Sequence, residues 1–239
     1  MNPAEKKNPA LEAAREAARL ANLELELISR SIAHDLRSPL MGIDGLLQVL
    51  SEDHAQRLDP EGQRYVVLLR EATRDFGKLI EAIVALAKIT LDPRAVQTVD
   101  LALLAQTQHR KFAARSPSRA VELTVAPGLP SASGDPKLLA LVMEHLIGNA
   151  WKFTSRATTA RIEVGHEAGR YFVRDDGAGF DMASVGRLFM LFQRLHSADE
   201  FEGRGIGLAT VRRIVHLHGG SVSAESNGRG ATIWFNLGP

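Results

Sequence analysis

Two adjacent residues, His34 and Asp35, have the types that a nucleophilic side chain and a supporting carboxylate require. They open the run HDLRSPL at 34–40. A neutral imidazole attacks through one ring nitrogen while a hydrogen bond holds the other. Asp35 could supply that hydrogen bond or accept the proton, and Pro39 predicts a bend in the helix beyond the pair. Taken alone, such a pair is more often a solvated polar face of a helix.

A second group of polar residues lies in the run HLIGNAWKF at 145–153. Asn149 and Lys152 are three residues apart, so they would share one face of a helix. An amide oxygen suits Mg²⁺, and an ammonium group suits phosphate. For this run alone, a helix that exposes a lysine and ends in an asparagine cap is the simpler explanation.

Asp175 opens the run DDGAGF at 175–180, directly after a strand-like segment. A carboxylate at the end of a strand can accept a hydrogen bond from the exocyclic amine of a base. Gly177 and Gly179 would let the backbone approach a ligand closely. The same run is also typical of an ordinary turn.

A glycine-rich run, GRGIGL at 203–208, opens a helical pattern and contains Gly205, Gly207 and Leu208. Glycine-rich backbone at the N-terminus of a helix favours an anionic phosphate. No strand directly precedes this run, so it differs from the fingerprint of a dinucleotide-binding fold.

The segment before that run contains Phe189, Phe192 and Arg194, followed by the polar residues 197–200. This composition predicts a flexible flap over a nucleotide with an aromatic anchor, although aromatic residues of the core are an equal alternative. A last glycine-containing run, GRGAT at 228–232, predicts a turn into the final strand.

The N-terminal elements predict a helical hairpin. Residues from about Ala10 to Leu50 are good helix formers, and Asp59-Pro60 predicts the start of a second helix. The first helix has an apolar stripe that would point His34 outward, and the second has a heptad seam. The stripe is Leu25, Ile28, Ile32 and Leu36, and the seam is Tyr65, Leu69, Ala72, Phe76, Leu79, Ile83 and Leu86.

A lone hairpin would leave much apolar surface in water. Pairing two hairpins into a four-helix bundle removes that surface, so we expect a homodimer. Packing of the hairpin on the rest of its own chain is the alternative.

After about residue 93 the pattern changes to short strand-like runs alternating with helical ones. The strands are predicted at 96–100, 121–125, 161–166, 170–174, 221–224 and 231–237, and the helices near 101–115, 136–153 and 206–218. We therefore expect an α+β chain, in which the hairpin is followed by an α/β sandwich of mixed sheet with helices on one face. The predicted domains are an N-terminal helix or tail at 1–19, a dimerisation domain with the hairpin and His34 at 20–92 and the α/β domain at 97–239.

The composition of the 239 residues excludes several classes. A net charge of +1 gives no argument for a nucleic acid partner, and the lack of cysteine excludes disulfides and thiolate metal sites. No run of about 18 apolar residues predicts a membrane span. We expect a cytoplasmic protein, since the N-terminal residues are polar and lack the apolar segment of a signal peptide.

Taken in order, these runs resemble the sensor histidine kinases of two-component systems, from about Leu20 to the C-terminus. HDLRSPL is similar to the phospho-acceptor box, HLIGNAWKF to the Asn box and DDGAGF to the first glycine box. FMLFQRL at 189–195 is similar to the Phe box, GRGIGLA to the second glycine box and GRGATIWFNL to the terminal glycine segment. The run at 192–220 is most similar to members with phytochrome or PAS-type sensors.

The resemblance implies specific roles for these residues. His34 would be phosphorylated with Asp35 as its orienting acid or base, and ATP and Mg²⁺ would be the cofactors. Asn149 would hold Mg²⁺, Lys152 the phosphates and Asp175 the adenine amine. Arg194 would steady the γ-phosphate. Gly177, Gly179, Gly205, Gly207 and Leu208 would line the nucleotide.

The resemblance also implies partners and a hinge. The phosphoryl group would pass from His34 to an aspartate of a response-regulator receiver domain, which would dock near Arg37. Residues 91–97 would act as the hinge between the domains. The signal would come from a sensor domain or protein outside this chain.

Two positions depart from the family pattern. His145 stands where the Asn box usually begins with asparagine, and an imidazole is a poorer ligand for a hard cation. Ser38 stands where members that also dephosphorylate their partner often have threonine or asparagine. Two alternatives to a kinase therefore stay open, namely an ATPase clamp of the related gyrase-like fold and a catalytically impaired dimeric scaffold.

Overall fold

The structure is a computed structural model that describes residues 9–89, 95–197 and 199–238. The chain forms two compact units, Met1–Thr90 and Leu91–Pro239. Much of the predicted hinge at 91–97 lies outside the described residues. The predicted domain limits stay predictions.

The first unit is the predicted antiparallel hairpin. Helix α1 is Pro9–Glu52 and helix α2 is Pro60–Ala87, joined through a 3₁₀ turn at Ala55–Arg57. Helix α1 continues through Pro39 without ending. Helix α2 begins where the sequence predicts, because the side chain of Asp59 accepts a hydrogen bond of 2.7 Å from the Gly62 amide.

The fully buried positions of the hairpin differ from the predicted stripe and seam, although Leu79 and Leu86 of the seam are half-buried. The residues buried between the helices include Ala33 and Leu47 of α1 and Val66, Ile80 and Ala87 of α2. Beside this contact lie two exposed apolar rows. The exposed members of the predicted stripe and seam include Ile28, Ile32, Leu36, Tyr65, Leu69, Phe76 and Ile83. The hairpin on its own therefore leaves these rows in water.

The second unit is built on a mixed five-stranded sheet. Its strands, in spatial order, are β2 (Val121–Val125), β4 (Ala160–Glu167), β5 (Arg170–Asp175), β7 (Ala231–Phe235) and β6 (Val222–Ser226). The pair β2 and β4 is parallel, and the other pairs are antiparallel. A separate antiparallel pair consists of β1 (Gln97–Val99) and β3 (Ala132–Gly134).

Three helices pack on one face of this sheet and enclose the core. They are α3 (Leu101–Arg115), α4 (Pro136–Phe153) and α5 (Gly207–Leu217). Helix α4 is central, since Leu139, Met143, Leu146 and Ile147 are fully buried. The predicted α+β class is therefore confirmed. Strand β3 and a 3₁₀ helix at Met182–Arg187 were not predicted.

Among the described residues, no helix combines the length and the apolarity that a membrane span requires.

Candidate active site

His34 lies on the surface of α1, where a substrate can reach its ring. Its side chain is 84% exposed, and its Nδ1 lies 3.3 Å from Oδ1 of Asp35. If Nδ1 carries the proton, Asp35 accepts it in a hydrogen bond and Nε2 keeps its lone pair. The structure therefore brings together the two residues that the sequence predicts as nucleophile and supporting carboxylate.

Helix α4 carries Asn149 and Lys152 near its C-terminal end, and that end is held by Arg119. The Arg119 guanidinium donates hydrogen bonds to the Trp151 carbonyl at 2.7 Å and to Oγ1 of Thr154 at 3.2 Å. It also lies 4.8 Å from the centroid of the Trp151 ring. The first of these contacts pairs a carbonyl group near the helix end, and together they hold the last turn.

Lys152 lies beside an aromatic ring and close to a second cation. Its Nζ is 4.1 Å from the centroid of Phe153, and the Cβ of any residue replacing Gly203 would lie 2.9 Å from that Nζ. Burial and the positive charge of Arg194 lower the pKa of Lys152. Two cations brought together this way make a favourable place for a polyanion such as a phosphate chain.

Asp175 ends β5 as a largely buried carboxylate. It accepts a hydrogen bond of 2.9 Å from the Gly177 amide. Burial raises the pKa of Asp175 to about 6, although hydrogen bonds from the amides of Gly177 and Ala231 oppose the shift. Its neighbour Asp176 accepts a hydrogen bond from the Arg161 amide at 2.8 Å and so joins β5 to β4.

The first pair of predicted glycines is required by the packing of the protein itself. A Cβ at Gly177 would lie 2.5 Å from the carbonyl oxygen of Phe153, at the end of α4. Gly179 has a φ of +64°, and its Cβ would lie 2.8 Å from Oγ of Ser226. The loop that begins at Asp175 therefore sits against both α4 and the β6–β7 turn.

The second glycine pair brings the N-terminus of α5 close to the flap and to α4. Gly205 has a φ of +68°, and its Cβ would lie 2.5 Å from the carbonyl oxygen of Gln193. Gly207 opens α5, and its Cβ would lie 3.3 Å from Nδ1 of His145. Leu208 follows in the first turn and is half-buried. Burial lowers the pKa of His145, against the charge of Glu144, so the ring beside Gly207 is neutral at pH 7.

Arg194 stabilises the flap between these glycine runs by hydrogen bonds to backbone carbonyls of the flap. Its Nη2 donates to the carbonyls of Ser197 at 3.1 Å and of Phe201 at 2.7 Å. The predicted anchors Phe189 and Phe192 are only half-buried, whereas Phe201 is buried. Phe201 is thus the main aromatic anchor of this segment, which the sequence analysis missed.

Of the residues that were not predicted, Phe201 alone has a weak signal in the sequence. Phe201 is a lone aromatic residue in a polar run, which is a sign of burial. Arg119 and His196 gave no signal, because their contacts are to backbone carbonyls that no motif identifies.

The second unit thus offers a cation pair, a buried carboxylate and a helix N-terminus, which together suit a purine nucleotide with its phosphates. Among the described residues, no group of three histidine, cysteine or acidic side chains could hold a metal ion. A Mg²⁺ ion would fit as a companion of the phosphates, with Asn149 as a protein ligand and water completing the shell.

Two family models match the two units. The His Kinase A (phospho-acceptor) domain matches residues 24–91, and the histidine kinase-, DNA gyrase B- and HSP90-like ATPase domain matches residues 134–239. The chain belongs to the sensor histidine kinases. In this kinase, His34 and Asp35 lie in the phospho-acceptor match, and the other predicted site residues lie in the ATPase match.

The similar proteins are longer chains. Cyanobacterial phytochrome A of Nostoc is 30% identical over 96% of this kinase and 31% of its own length. The methanogenesis regulatory histidine kinase FilI of Methanothrix harundinacea is 30% identical over 90% of this kinase and 25% of its own length. The sensor kinase therefore spans about a third or less of these relatives.

A solved structure supports the fold. ShkA, crystallised at full length with AMPPNP, has 26% identity and a TM-score of 0.58 over 88% of this kinase and 45% of its own chain.

Proposed function

We propose that this kinase transfers the γ-phosphoryl group of ATP to Nε2 of His34. The observation that carries the proposal is the exposed imidazole whose other ring nitrogen faces Asp35 at 3.3 Å. A phospho-acceptor that reacts with a nucleotide must be accessible, and it must present a free lone pair.

The chemistry requires little covalent help from the protein. Nε2 of His34 forms a bond to the γ-phosphorus while the bond from that phosphorus to the bridging oxygen breaks, and ADP leaves. Asp35 stabilises the positive charge that develops on the imidazole by accepting the hydrogen bond from Nδ1. Positioning and charge neutralisation supply most of the catalysis in such transfers.

The other predicted residues would bind and orient the nucleotide. Asp175 would accept the hydrogen bond of the adenine amine, and Lys152 and Arg194 would neutralise the phosphates. Mg²⁺ bound near Asn149 would supply further charge neutralisation. Gly205, Gly207 and Leu208 would place the N-terminus of α5 against the phosphates, and Gly177 and Gly179 would shape the wall beside the base.

The partners follow from the same proposal. Two copies would pair through the exposed rows of α1 and α2, and the phosphoryl group would move from His34 to an aspartate of a response-regulator receiver domain. An upstream sensor would supply the signal. The cytoplasmic location stays a prediction.

Incubation of the full chain with γ-labelled ATP and Mg²⁺ tests the proposal. We expect an acid-labile, base-stable label that His34→Gln abolishes and that His216→Gln, a change on the exposed face of α5, retains. Phosphate release without label would support the ATPase clamp instead. A chain that does not bind ATP would support the impaired scaffold, for which His145 beside Gly207 is the motivating feature.

A further inference from the structure

The ring of His196 contacts three separate parts of the second unit. Its Nε2 lies 2.9 Å from the carbonyl oxygen of Gly179. Its centroid lies 5.4 Å from that of Phe153 and 5.0 Å from that of Phe201. Because a carbonyl only accepts, Nε2 carries a proton and donates it in this hydrogen bond. His196 thus joins the flap, the loop after β5 and the end of α4.

Each of these three parts carries a group proposed to bind the nucleotide. Phe153 directly follows Lys152, whose Nζ lies over its ring. Gly179 belongs to the loop that begins at Asp175. The carbonyl of Phe201 accepts the hydrogen bond of Arg194 at 2.7 Å. The imidazole therefore stands at the junction of the proposed adenine and phosphate groups.

We propose that His196 is a positioning residue for the nucleotide, whose hydrogen bond to Gly179 fixes the flap, and with it Arg194, relative to the loop at Asp175. This inference rests on the proposed binding of ATP. It goes further by giving a role to a residue that contacts none of the reacting atoms.

The hydrogen bond from His196 to Gly179 acts on the flap alone, because the loop after β5 and the end of α4 are joined without it. The amide of Ala178 donates to the Phe153 carbonyl at 3.1 Å, which ties the loop after β5 to α4 directly. Loss of the His196 donor would therefore leave Asp175 and Lys152 in place and displace only Arg194. The affinity for the phosphate chain should fall, while the affinity for the base should not.

Two substitutions separate the donor from the ring. His196→Phe keeps an aromatic ring between Phe153 and Phe201 and removes the donor, together with Nδ1, which lies 3.8 Å from Oε2 of Glu200. His196→Gln removes the ring and keeps a donor at the position of Nε2. His216→Phe, the same change at an exposed position of α5, is the matched control. Binding of AMPPNP with Mg²⁺ and of adenosine would be measured by calorimetry on the full chain.

We expect His196→Phe to weaken AMPPNP binding about 3- to 10-fold, as the loss of one neutral hydrogen bond predicts, and to leave adenosine binding within about twofold. His196→Gln should restore most of the lost affinity, and His216→Phe should match the unaltered chain. Equal AMPPNP affinities of the unaltered chain and His196→Phe would overturn the role of His196 alone. Equal losses for adenosine and AMPPNP would also overturn it, since they would indicate a general structural effect. An unaltered chain that does not bind AMPPNP would overturn the proposed function itself.

Discussion

At the scale of single residues, the proposed role of Asp175 predicts that the affinity for adenine depends on pH. Burial raises its pKa from 3.8 to about 6, and a hydrogen bond from the adenine amine needs the ionised carboxylate as a strong acceptor. We expect adenosine affinity to rise as the pH increases through about 6 and to level off above about 7. Adenosine is the suitable probe because it has no phosphate that titrates in this range.

The control for this prediction is Asp175→Asn. Its amide can still accept the Gly177 hydrogen bond, but it would then turn an NH₂ group towards the adenine amine, so binding should be weak at every pH. A pH profile that persists in Asp175→Asn, or a flat profile in the unaltered chain, would contradict the assignment.

Folding of the unliganded protein should show the opposite pH dependence for the same residue. Because the folded state raises the pKa of this carboxyl, its contribution to stability is fully present below about pH 4 and is lost as the pH rises through about 6. The amount lost by pH 8 is about 2 to 3 kcal/mol, from a shift of about two pKa units. Denaturant unfolding of the unaltered chain and of Asp175→Asn, compared between pH 4 and pH 8, would isolate this contribution.

At the scale of elements, the hairpin contains a charged pair. Replacing both of its residues should lower the free energy of unfolding less than replacing only one of them. Oδ1 of Asp44 in α1 lies 4.0 Å from Nε of Arg70 in α2, and both atoms are buried without a hydrogen-bond partner. Arg70 also donates to Oγ of Ser51 at 3.3 Å. Both side chains still reach water, with 40% of Asp44 and 26% of Arg70 exposed, so the pair is partly screened and contributes little net free energy.

We therefore expect Arg70→Leu alone to lower the free energy of unfolding by about 1 kcal/mol, because it leaves the buried Oδ1 of Asp44 without its charge partner while the rest of that carboxylate stays in water. The double change Asp44→Leu with Arg70→Leu should recover most of this loss. Urea unfolding at one protein concentration would measure both. Additive losses in the double variant would mean that the two residues do not interact.

The sequence predicted helices and strands well where the local pattern is strong. It predicted side-chain contacts less well. Helix α2 begins at its aspartate cap and proline as expected, since capping acts within a few residues. Strand β3 has three residues and depends on pairing with β1, which no local pattern contains. The glycines were predicted to line a ligand, yet contacts such as Gly177 with the Phe153 carbonyl explain them through packing that only the fold reveals. Phe201 was missed for the same reason.

At the scale of the whole molecule, the exposed rows of the hairpin predict a dimer. Leu69 is 53% exposed and Phe76 is 45% exposed, and both belong to the heptad seam of α2. An apolar seam of this length is unfavourable in water, and a second hairpin with the same seam can cover it. A charge placed in the seam would be buried by pairing without a partner, at a cost of several kcal/mol for each chain.

The double variant Leu69→Glu with Phe76→Glu should therefore sediment with half the mass of the unaltered chain. Leu103→Glu is the matched control, because Leu103 is 54% exposed on α3 in the other unit and should leave the mass unchanged. Both variants should still bind AMPPNP, since the seam lies in a different compact unit from Asp175 and Lys152. A double variant that keeps the dimer mass would show that two copies pair through another surface. An unaltered chain that sediments as a monomer would show that the seam stays in water or is covered within one chain.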